Sequence, residues 1–351
     1  MANKSSNKSL GKAKGAKNDE FYTRYDDIQA ELNFYKGQLK DKVIYCNCDD
    51  PAESAFTDFF KLNFDYLGIK KLICTRYQNS NLFLFTDPVR KSGYRLEITA
   101  KNKNDKKPVK INLKGDGDFR SPECVEFLKE ADIIITNPPF SLFREYVAQL
   151  VKYKKKFLII GNDNCRTYKD IFKLIKENII WCGYARVKEF GQPDGTFKKF
   201  GNVGWYTNLD VKKRHEDIIL YKTYQGNEKD YPKYDNYDAI EVSRLKDIPK
   251  DYKGVMGVPI SFLDSHNPKQ FEILGITAGR DEFEARPTKR YINPKQNNPD
   301  GSIINGSKAN TRSTIIYKKK STDIYYTADN ARGYLKILYA RILVKNKKVK
   351  K

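Results

Sequence analysis

Asn137-Pro138-Pro139-Phe140 is the segment of this chain whose residue types come closest to describing a reaction. It follows residues 132–136, an apolar run of the kind that forms a strand buried on both faces of a parallel sheet. Ligands of open α/β sheets sit beyond the carboxyl ends of the strands, so the tetrapeptide occupies catalytic ground. The Asn137 side-chain oxygen and the Pro138 carbonyl are two hydrogen-bond acceptors, and the paired prolines hold both rigidly aimed. An exocyclic amino group conjugated to an aromatic ring is a poor nucleophile, because its lone pair is delocalised. Two acceptors that take its N–H bonds draw that lone pair out of the plane. Phe140 supplies a face on which a base stacks, a contact of ~1–3 kcal/mol. This chemistry needs neither histidine nor metal.

The elements that must position the tetrapeptide alternate between strand and helix. Short apolar strands are expected at 43–46, 71–75, 132–136, 157–160, 179–182 and 203–208. Helical spacing starts at Asp26 and recurs at 53–62, 142–152 and 168–178. Ser121 followed by Pro122 marks a helix start, with a helix over 122–130. The stretch 81–113 alternates apolar and polar residues and predicts a β-hairpin excursion. Such alternation predicts a doubly wound, mostly parallel α/β sheet. From about Gly226, Tyr, Pro, Asn and Lys dominate and helical periodicity fades, which predicts a second, smaller region over 226–351 after a catalytic domain at 19–225.

The bulk composition narrows the partners. The 351 residues carry 66 Lys+Arg against 44 Asp+Glu, a net charge of +22, which favours a polyanion such as nucleic acid. No apolar run approaches the ~20 residues of a membrane span. Residues 1–18 read as a disordered basic arm, with five lysines in the first 17 positions and no apolar core of a secretory signal. A cytoplasmic location is expected. The six cysteines, without a C-x-x-C pair and with only two histidines in the chain, predict reduced, mostly buried thiols and no metal site.

Several segments together resemble the EcoRI-type adenine-specific DNA methyltransferases. Asn137-Pro138-Pro139-Phe140 matches the catalytic motif of amino-group methyltransferases, in which adenine members carry Asn or Asp first. Asp19-Glu20-Phe21-Tyr22-Thr23 resembles that family's N-terminal cofactor motif, and Tyr45-Cys46-Asn47-Cys48-Asp49-Asp50-Pro51 its first-strand loop. Residues 201–208, Gly-Asn-Val-Gly-Trp-Tyr-Thr-Asn, resemble the segment lining the target-base pocket. Weaker likeness continues at Gly257-Val258-Pro259-Ile260 and near the C-terminus. The resemblance implies a Rossmann-like class I methyltransferase fold, S-adenosylmethionine as cofactor, and transfer to N6 of a flipped-out adenine in a restriction-modification system. It also suggests GAATTC as the recognised sequence.

The same resemblance makes Phe21, Tyr22, Thr23, Asn47, Asp49 and Asp50 candidate cofactor residues, and the loop before the next helix adds Asp116, Asp118 and Phe119. Their chemistry suits a ligand with sulfonium and ammonium charges, which favours carboxylates (Asp49, Asp50) and aromatic faces (Phe21, Tyr22). Asp118, in Gly115-Asp116-Gly117-Asp118-Phe119, is placed to bond an adenine amino group, with Phe119 beside the ring. The chain departs from the common pattern twice. Cys48-Asp49-Asp50-Pro51 replaces the glycine-rich loop, and Thr75-Arg76-Tyr77 stands where an acid usually holds the ribose.

For the target, Trp205 and Tyr206 are candidate walls of the base pocket, and strand alternation lets at most one of them face the base. The basic stretch 286–320 offers Arg290, Gln296, Asn297, Asn298, Asn310 and Arg312, types suited to base edges in the major groove. The expected partner is double-stranded DNA, with a cognate restriction endonuclease in the same system but no stable complex, and a monomer is favoured. The competing readings are methylation of RNA or of a protein glutamine amide, and a non-catalytic nucleic-acid-binding protein on the same scaffold.

Overall fold

Two of the parallel strands, Val43–Cys46 and Ile133–Thr136, are buried at every position because sheet neighbours and helices cover them on every side. The computed structural model describes residues 22–48, 50–77, 93–105, 109–191, 196–277 and 285–349. The expected basic arm, Phe21 and Asp49 lie outside these residues, as do 81–92 and 106–108 of the expected hairpin. The described chain divides into two compact units, one comprising residues up to 171 together with 180–210, the other 172–179 together with 211–351.

The first unit holds a nine-stranded sheet among the described residues. Its central strands are β2 (Val43–Cys46), β3 (Lys71–Arg76), β6 (Ile133–Thr136) and β7 (Lys156–Asn162), in spatial order β3-β2-β6-β7 and all parallel. Ile44 stands opposite both Leu72 and Ile133, which sets the register of the three innermost strands. Crossover helices connect them. α1 (Tyr25–Leu32) and α2 (Lys36–Leu39) precede β2, and α3 (Ala55–Leu62) and α4 (Phe64–Leu67) lie between β2 and β3. α5 (Pro122–Glu130) leads into β6, α6 (Phe143–Lys152) joins β6 to β7, and α7 (Lys169–Lys176) follows.

The sequence expectation of a mostly parallel sheet is corrected here. β1 (Tyr22–Thr23), β8 (Trp181–Gly191), β9 (Phe197–Thr207), β4 (Tyr94–Thr99) and β5 (Lys110–Asn112) all join by antiparallel pairing, so the sheet is mixed. For β8 and β9 the reason is the length of their connection. A few residues suffice to turn β8 into β9, and such a hairpin makes antiparallel neighbours, whereas parallel ones need a crossover.

Local chemistry explains the boundaries. Ser54 Oγ accepts from Phe56 N at 3.2 Å to cap α3, and Ser121 Oγ accepts from Cys124 N at 3.2 Å to cap α5, whose first residue is proline. α6 buries Phe143, Tyr146, Val147 and Leu150, one stripe at helical spacing. β8 carries a register shift between Cys182 and Arg186, and the amides freed by it are met by a buried carboxylate: Tyr184 N donates to Glu31 Oε2 at 2.8 Å. Gly183 permits this approach, since a Cβ there would lie 2.2 Å from Glu31 Oε1. Five of the six cysteines are buried, Cys48 being half-buried.

The second unit is built from strands and short 3-10 turns after Val211, which accords with the fading of helical periodicity. β10 (Ile240–Glu241), β11 (Met256–Pro259), β18 (Arg341–Asn346) and β12 (Phe271–Ile276) form one sheet in that order. β14 (Ile303–Asn305), β13 (Lys295–Asn297), β16 (Tyr325–Thr327), β17 (Tyr334–Ile337) and β15 (Thr314–Tyr317) form the other. The apolar segment near the C-terminus is thus two strands in two sheets. A buried ion pair, Arg341 Nη2 to Glu241 Oε1 at 2.7 Å, links β18 to β10. No helix among the described residues is long and apolar enough to cross a membrane.

Candidate active site

The carboxyl ends of β3, β2, β6 and β7 share one edge of the sheet. Chain order runs from β2 outward to β3 and then to β6 on β2's other side, so the loops leaving β2 and β6 diverge and open a crevice. Asn47 begins one loop and Asn137 the other.

Asn137 is 8 % exposed and Pro138 is buried. Pro139 is extended (φ −54°, ψ 124°) and its carbonyl accepts from Leu142 N at 3.0 Å, closing a single 3-10 turn over Phe140–Leu142. Phe140 is half-buried. Its ring meets Phe190 edge-on at 6.2 Å, and Phe190 meets Phe200 at 5.3 Å. Phe190 and Phe200 belong to β8 and β9, which run on past the end of β7. They form the aromatic surround of the tetrapeptide, and the sequence reading missed them.

Thr23 stands opposite Phe190 in the β1–β8 pairing, and Tyr22 opposite Gly191. The N-terminal motif is thereby brought beside Phe140's neighbours. The Tyr22 hydroxyl donates to Glu53 Oε2 at 3.3 Å. Thr23 Oγ1 and Thr136 Oγ1, at the ends of β1 and β6, are buried with no hydrogen-bond partner among the described residues.

On the β2 side, Asn47 is buried and its Oδ1 accepts from the Tyr146 hydroxyl at 2.5 Å. Tyr146 also meets the Phe119 ring edge-on at 5.0 Å, so one residue of α6 ties the β2 loop to the Gly115–Phe119 loop. Its only sequence signal was the helical stripe of α6. Asp50 accepts from Arg76 Nη1 at 3.0 Å, from Ala52 N at 3.0 Å and from the Tyr94 hydroxyl. Burial and this carboxylate push the Tyr94 hydroxyl well above its ordinary range. Asp50 therefore fastens the loop to β3 and β4, and Arg76, in the position of the usual ribose acid, is its counter-ion.

The Gly115–Phe119 loop lies against the end of β3. Gly117 has φ +81°, and a Cβ there would lie 2.1 Å from the Arg76 carbonyl oxygen, so the close approach requires glycine. Asp116 Oδ1 accepts from Asp118 N at 3.0 Å. Asp118 is paired with Arg120 at 2.6 Å, and that hydrogen bond holds its carboxyl below the usual range. Phe119 is buried, with the Arg120 guanidinium 5.2 Å from its ring centroid.

Trp205 and Tyr206 alternate as expected, but neither reaches the surface, at 1 % and 0 % exposure. Trp205 packs on Phe56 of α3 and Tyr206 on Phe143 of α6, on opposite faces of the sheet. The Tyr206 hydroxyl donates to Asp163 Oδ1 at 3.1 Å and accepts from Arg166 Nε at 2.9 Å. Burial alone would raise Asp163, yet Arg186 and Arg166 hold it below the ordinary carboxylate range.

Within the second unit, Arg290 is exposed, and Arg312 is half-buried with its ionisation lowered by burial. Asn297 Nδ2 donates to Thr327 Oγ1 at 3.3 Å. Asn298 bonds Gln296 and Ser302 within its own turn, and both amide atoms of Asn310 are used on the Tyr291 backbone.

The donor set at the crevice fits a cationic adenosyl ligand. Asp50 and Asp118 neutralise Arg76 and Arg120, so the negative charge these loops leave for a ligand is that of Asp116, and the Asn47 carboxamide and the rings of Tyr22 and Phe119 supply polar and aromatic contacts. The two orphaned threonine hydroxyls are further polar atoms in want of a partner.

Comparison with known proteins agrees with the geometry. Residues 9–347 match the family model described as adenine-specific methyltransferase EcoRI. The chain is 50% identical over 305 residues to the type II methyltransferase M.EcoRI of Escherichia coli, covering 80% of this chain and 93% of that one. It is 36% identical over 334 residues to the type II methyltransferase M.MgeORF184P of Mycoplasma genitalium, covering 89% and 98%. With the type II methyltransferase M.MpnI of Mycoplasma pneumoniae the identity is 39% over 288 residues, covering 77% and 86%. No solved structure matches significantly. An Asn-Pro-Pro-Phe turn at the carboxyl edge of a large mixed sheet, in a chain that follows the family model almost from end to end, makes this protein a member of the EcoRI family of adenine-specific methyltransferases.

Proposed function

We propose that the protein methylates N6 of an adenine flipped out of duplex DNA, as the modification enzyme of a restriction-modification system, on a Rossmann-like class I methyltransferase scaffold. The observation that carries this reading is the tetrapeptide Asn137-Pro138-Pro139-Phe140, held at the carboxyl end of β6 where the strand order reverses. S-adenosylmethionine supplies, when bound, a methyl group on a sulfonium centre. Asn47, Asp116, Asp118, Phe119, Tyr22 and Thr23 are the residues that would hold it. Asn137 Oδ1 and the Pro138 carbonyl accept the two N–H bonds of the adenine amino group. Both contacts strengthen as that nitrogen pyramidalises, so they favour the transition state over the ground state. Phe140 stacks on the extruded base and offsets part of the unstacking cost of a few kcal/mol. Trp205 and Tyr206 act from the core, Tyr206 by fixing Asp163 and Arg166, and the aromatic surround passes to Phe190 and Phe200.

The test is incubation with duplex DNA and methyl-labelled S-adenosylmethionine in excess chelator, followed by nucleoside analysis. Labelled N6-methyladenine is the expected product. Label in cytosine, in RNA or in protein alone, or a strict metal requirement, contradicts the proposal.

A further inference from the structure

One surface of the second unit combines exposed apolar side chains with concentrated positive charge. Ile292, Ile303 and Ile304 are 55 %, 61 % and 52 % exposed. Arg290, Lys295 and Lys308 belong to the same stretch, and residues 287–320 hold eight basic residues against one acid, Asp300. β14 is the edge strand of its sheet.

The β13–β14 hairpin is rigidly built. Lys295 stands opposite Asn305, Gln296 opposite Ile304, and Asn297 opposite Ile303. Gln296 Oε1 accepts from the Tyr326 hydroxyl at 2.6 Å, and Tyr326 belongs to the small core of Tyr291, Ala309 and Leu335. Alternation then puts Lys295, Asn297, Ile303 and Asn305 on the opposite face. At the base of the hairpin, Gly306 N donates to the Pro294 carbonyl at 2.9 Å, and a Cβ on Gly306 would lie 2.7 Å from the Lys295 backbone. This closure leaves a groove of about 520 Å³ with Arg290, Ile292, Asn293 and Asn305 among its walls. Asn293 is held there at φ +48°, its amide donating to Asp329 Oδ2 at 2.7 Å. Such a backbone persists only where its surroundings over-determine it.

We propose that this hairpin is the sequence-reading element: it enters the major groove of duplex DNA as a two-stranded ribbon, with Arg290 presented to guanine and Ile303, on the face turned away from Tyr326, to a thymine methyl group. The inference rests on the proposed methylation of duplex DNA. The major groove is about 12 Å wide and admits a two-stranded β-ribbon, and the thymine C5 methyl is the apolar spot it displays. Isoleucines left in water beside cations suit that surface better than the edge of a second copy of this cationic chain, which like charge would repel. Asn310, whose amide is spent on Tyr291, lines the groove instead of reading bases, and the Asn298 amide is spent within its own turn.

The experiment uses the full chain, S-adenosylmethionine and a pool of duplexes with a randomised central segment. Methylated adenines are mapped by sequencing after a single turnover, and cofactor affinity is measured in parallel. Wild-type protein is expected to mark one narrow motif. Arg290→Ala should lose discrimination roughly 10- to 100-fold at one G·C position. Ile303→Ala should lose roughly 3- to 10-fold at one T·A position. Cofactor affinity should not move in either. An unchanged motif in both variants overturns the hairpin's role alone, as does a loss in Arg290→Ala that is equal for all sequences. So does an unchanged motif accompanied by a shift in sedimentation of Ile303→Ala, which would make β14 an interface between copies. Wild-type protein that marks no duplex adenine overturns the proposed function and the hairpin's role with it.

Discussion

Replacing Gly117 by alanine should disable the cofactor side of the crevice, whereas the same change two residues earlier should pass unnoticed. The left-handed backbone at Gly117 costs alanine about 1–2 kcal/mol. The new methyl would also lie 2.1 Å from the Arg76 carbonyl, a backbone atom that cannot swing away, and such overpacking adds about 1–3 kcal/mol. The loop can relieve both only by withdrawing on the order of 1 Å from the end of β3, the contact distance it lacks. Asp116, Asp118 and Phe119 move with it. A misplacement of about 1 Å is worth roughly 100-fold in rate. At Gly115 a Cβ would meet nothing within 4 Å, so Gly115→Ala is the matched control. Calorimetric titration with S-adenosylmethionine, together with thermal melting, separates a lost site from a lost fold. The expectation is a folded Gly117→Ala protein whose cofactor affinity falls at least about tenfold, beside a Gly115→Ala protein that binds normally. Equal, unimpaired binding by both variants would refute the placement of the cofactor against this loop.

Three further outcomes follow from the same chain. Burial lowers the His266 imidazole to about 4, so the folded state resists protonation that the unfolded state accepts near 6.5; stability is full above pH 6.5 and should decline by about 3 kcal/mol as pH falls toward 4. Denaturant titrations across that window should show the slope, and His266→Phe should flatten it. Arg341→Met strands the buried Glu241 carboxylate and should cost about 3–5 kcal/mol of stability in chemical denaturation, with a smaller loss when Glu241 is changed to Gln at the same time. Affinity for duplex DNA should fall steeply with salt, about 0.9 counterion released per phosphate contacted, and removing residues 1–17 with their five lysines should lower affinity without altering sequence preference. A flat salt dependence in a filter-binding assay would contradict a duplex substrate.

The sequence reading recovered most clearly the elements whose pattern is dictated by full burial. Val43–Cys46 and Ile133–Ile135 had nothing but apolar side chains to offer, and Pro122–Glu130 was announced by its Ser-Pro cap. The tetrapeptide was legible for the same reason, since the buried strand before it fixes the edge to which it belongs. β8 and β9 were read at less than their length. Beyond Cys182 and before Val203 their side chains include Arg186, Lys188, Glu189, Lys198 and Lys199, which break the apolar run although the backbone pairing continues. Phe190 and Phe200 lie in those polar stretches, so the aromatic surround of Phe140 was invisible until the strands were paired. Asp50 shows the opposite limit. A carboxylate in a cofactor loop reads as a ligand, and only the approach of Arg76 and Tyr94, from strands β3 and β4, reveals it as a fastener.

The central claim is that Asn137 accepts a proton-bearing bond of the reacting amino group, and single-turnover methyl transfer by Asn137→Ala tests it most directly. Loss of one preorganised acceptor should lower the rate roughly 10²–10³-fold while cofactor and DNA affinity, measured on the same preparation, stay within a few-fold of wild type. Asn137→Asp, which keeps an acceptor oxygen, should retain part of the activity, and Phe140→Ala should mainly weaken retention of the flipped base. Asn137→Ala protein that methylates at the wild-type rate, or that fails only because it no longer folds, would make Asn137-Pro138-Pro139-Phe140 a structural turn and contradict the account.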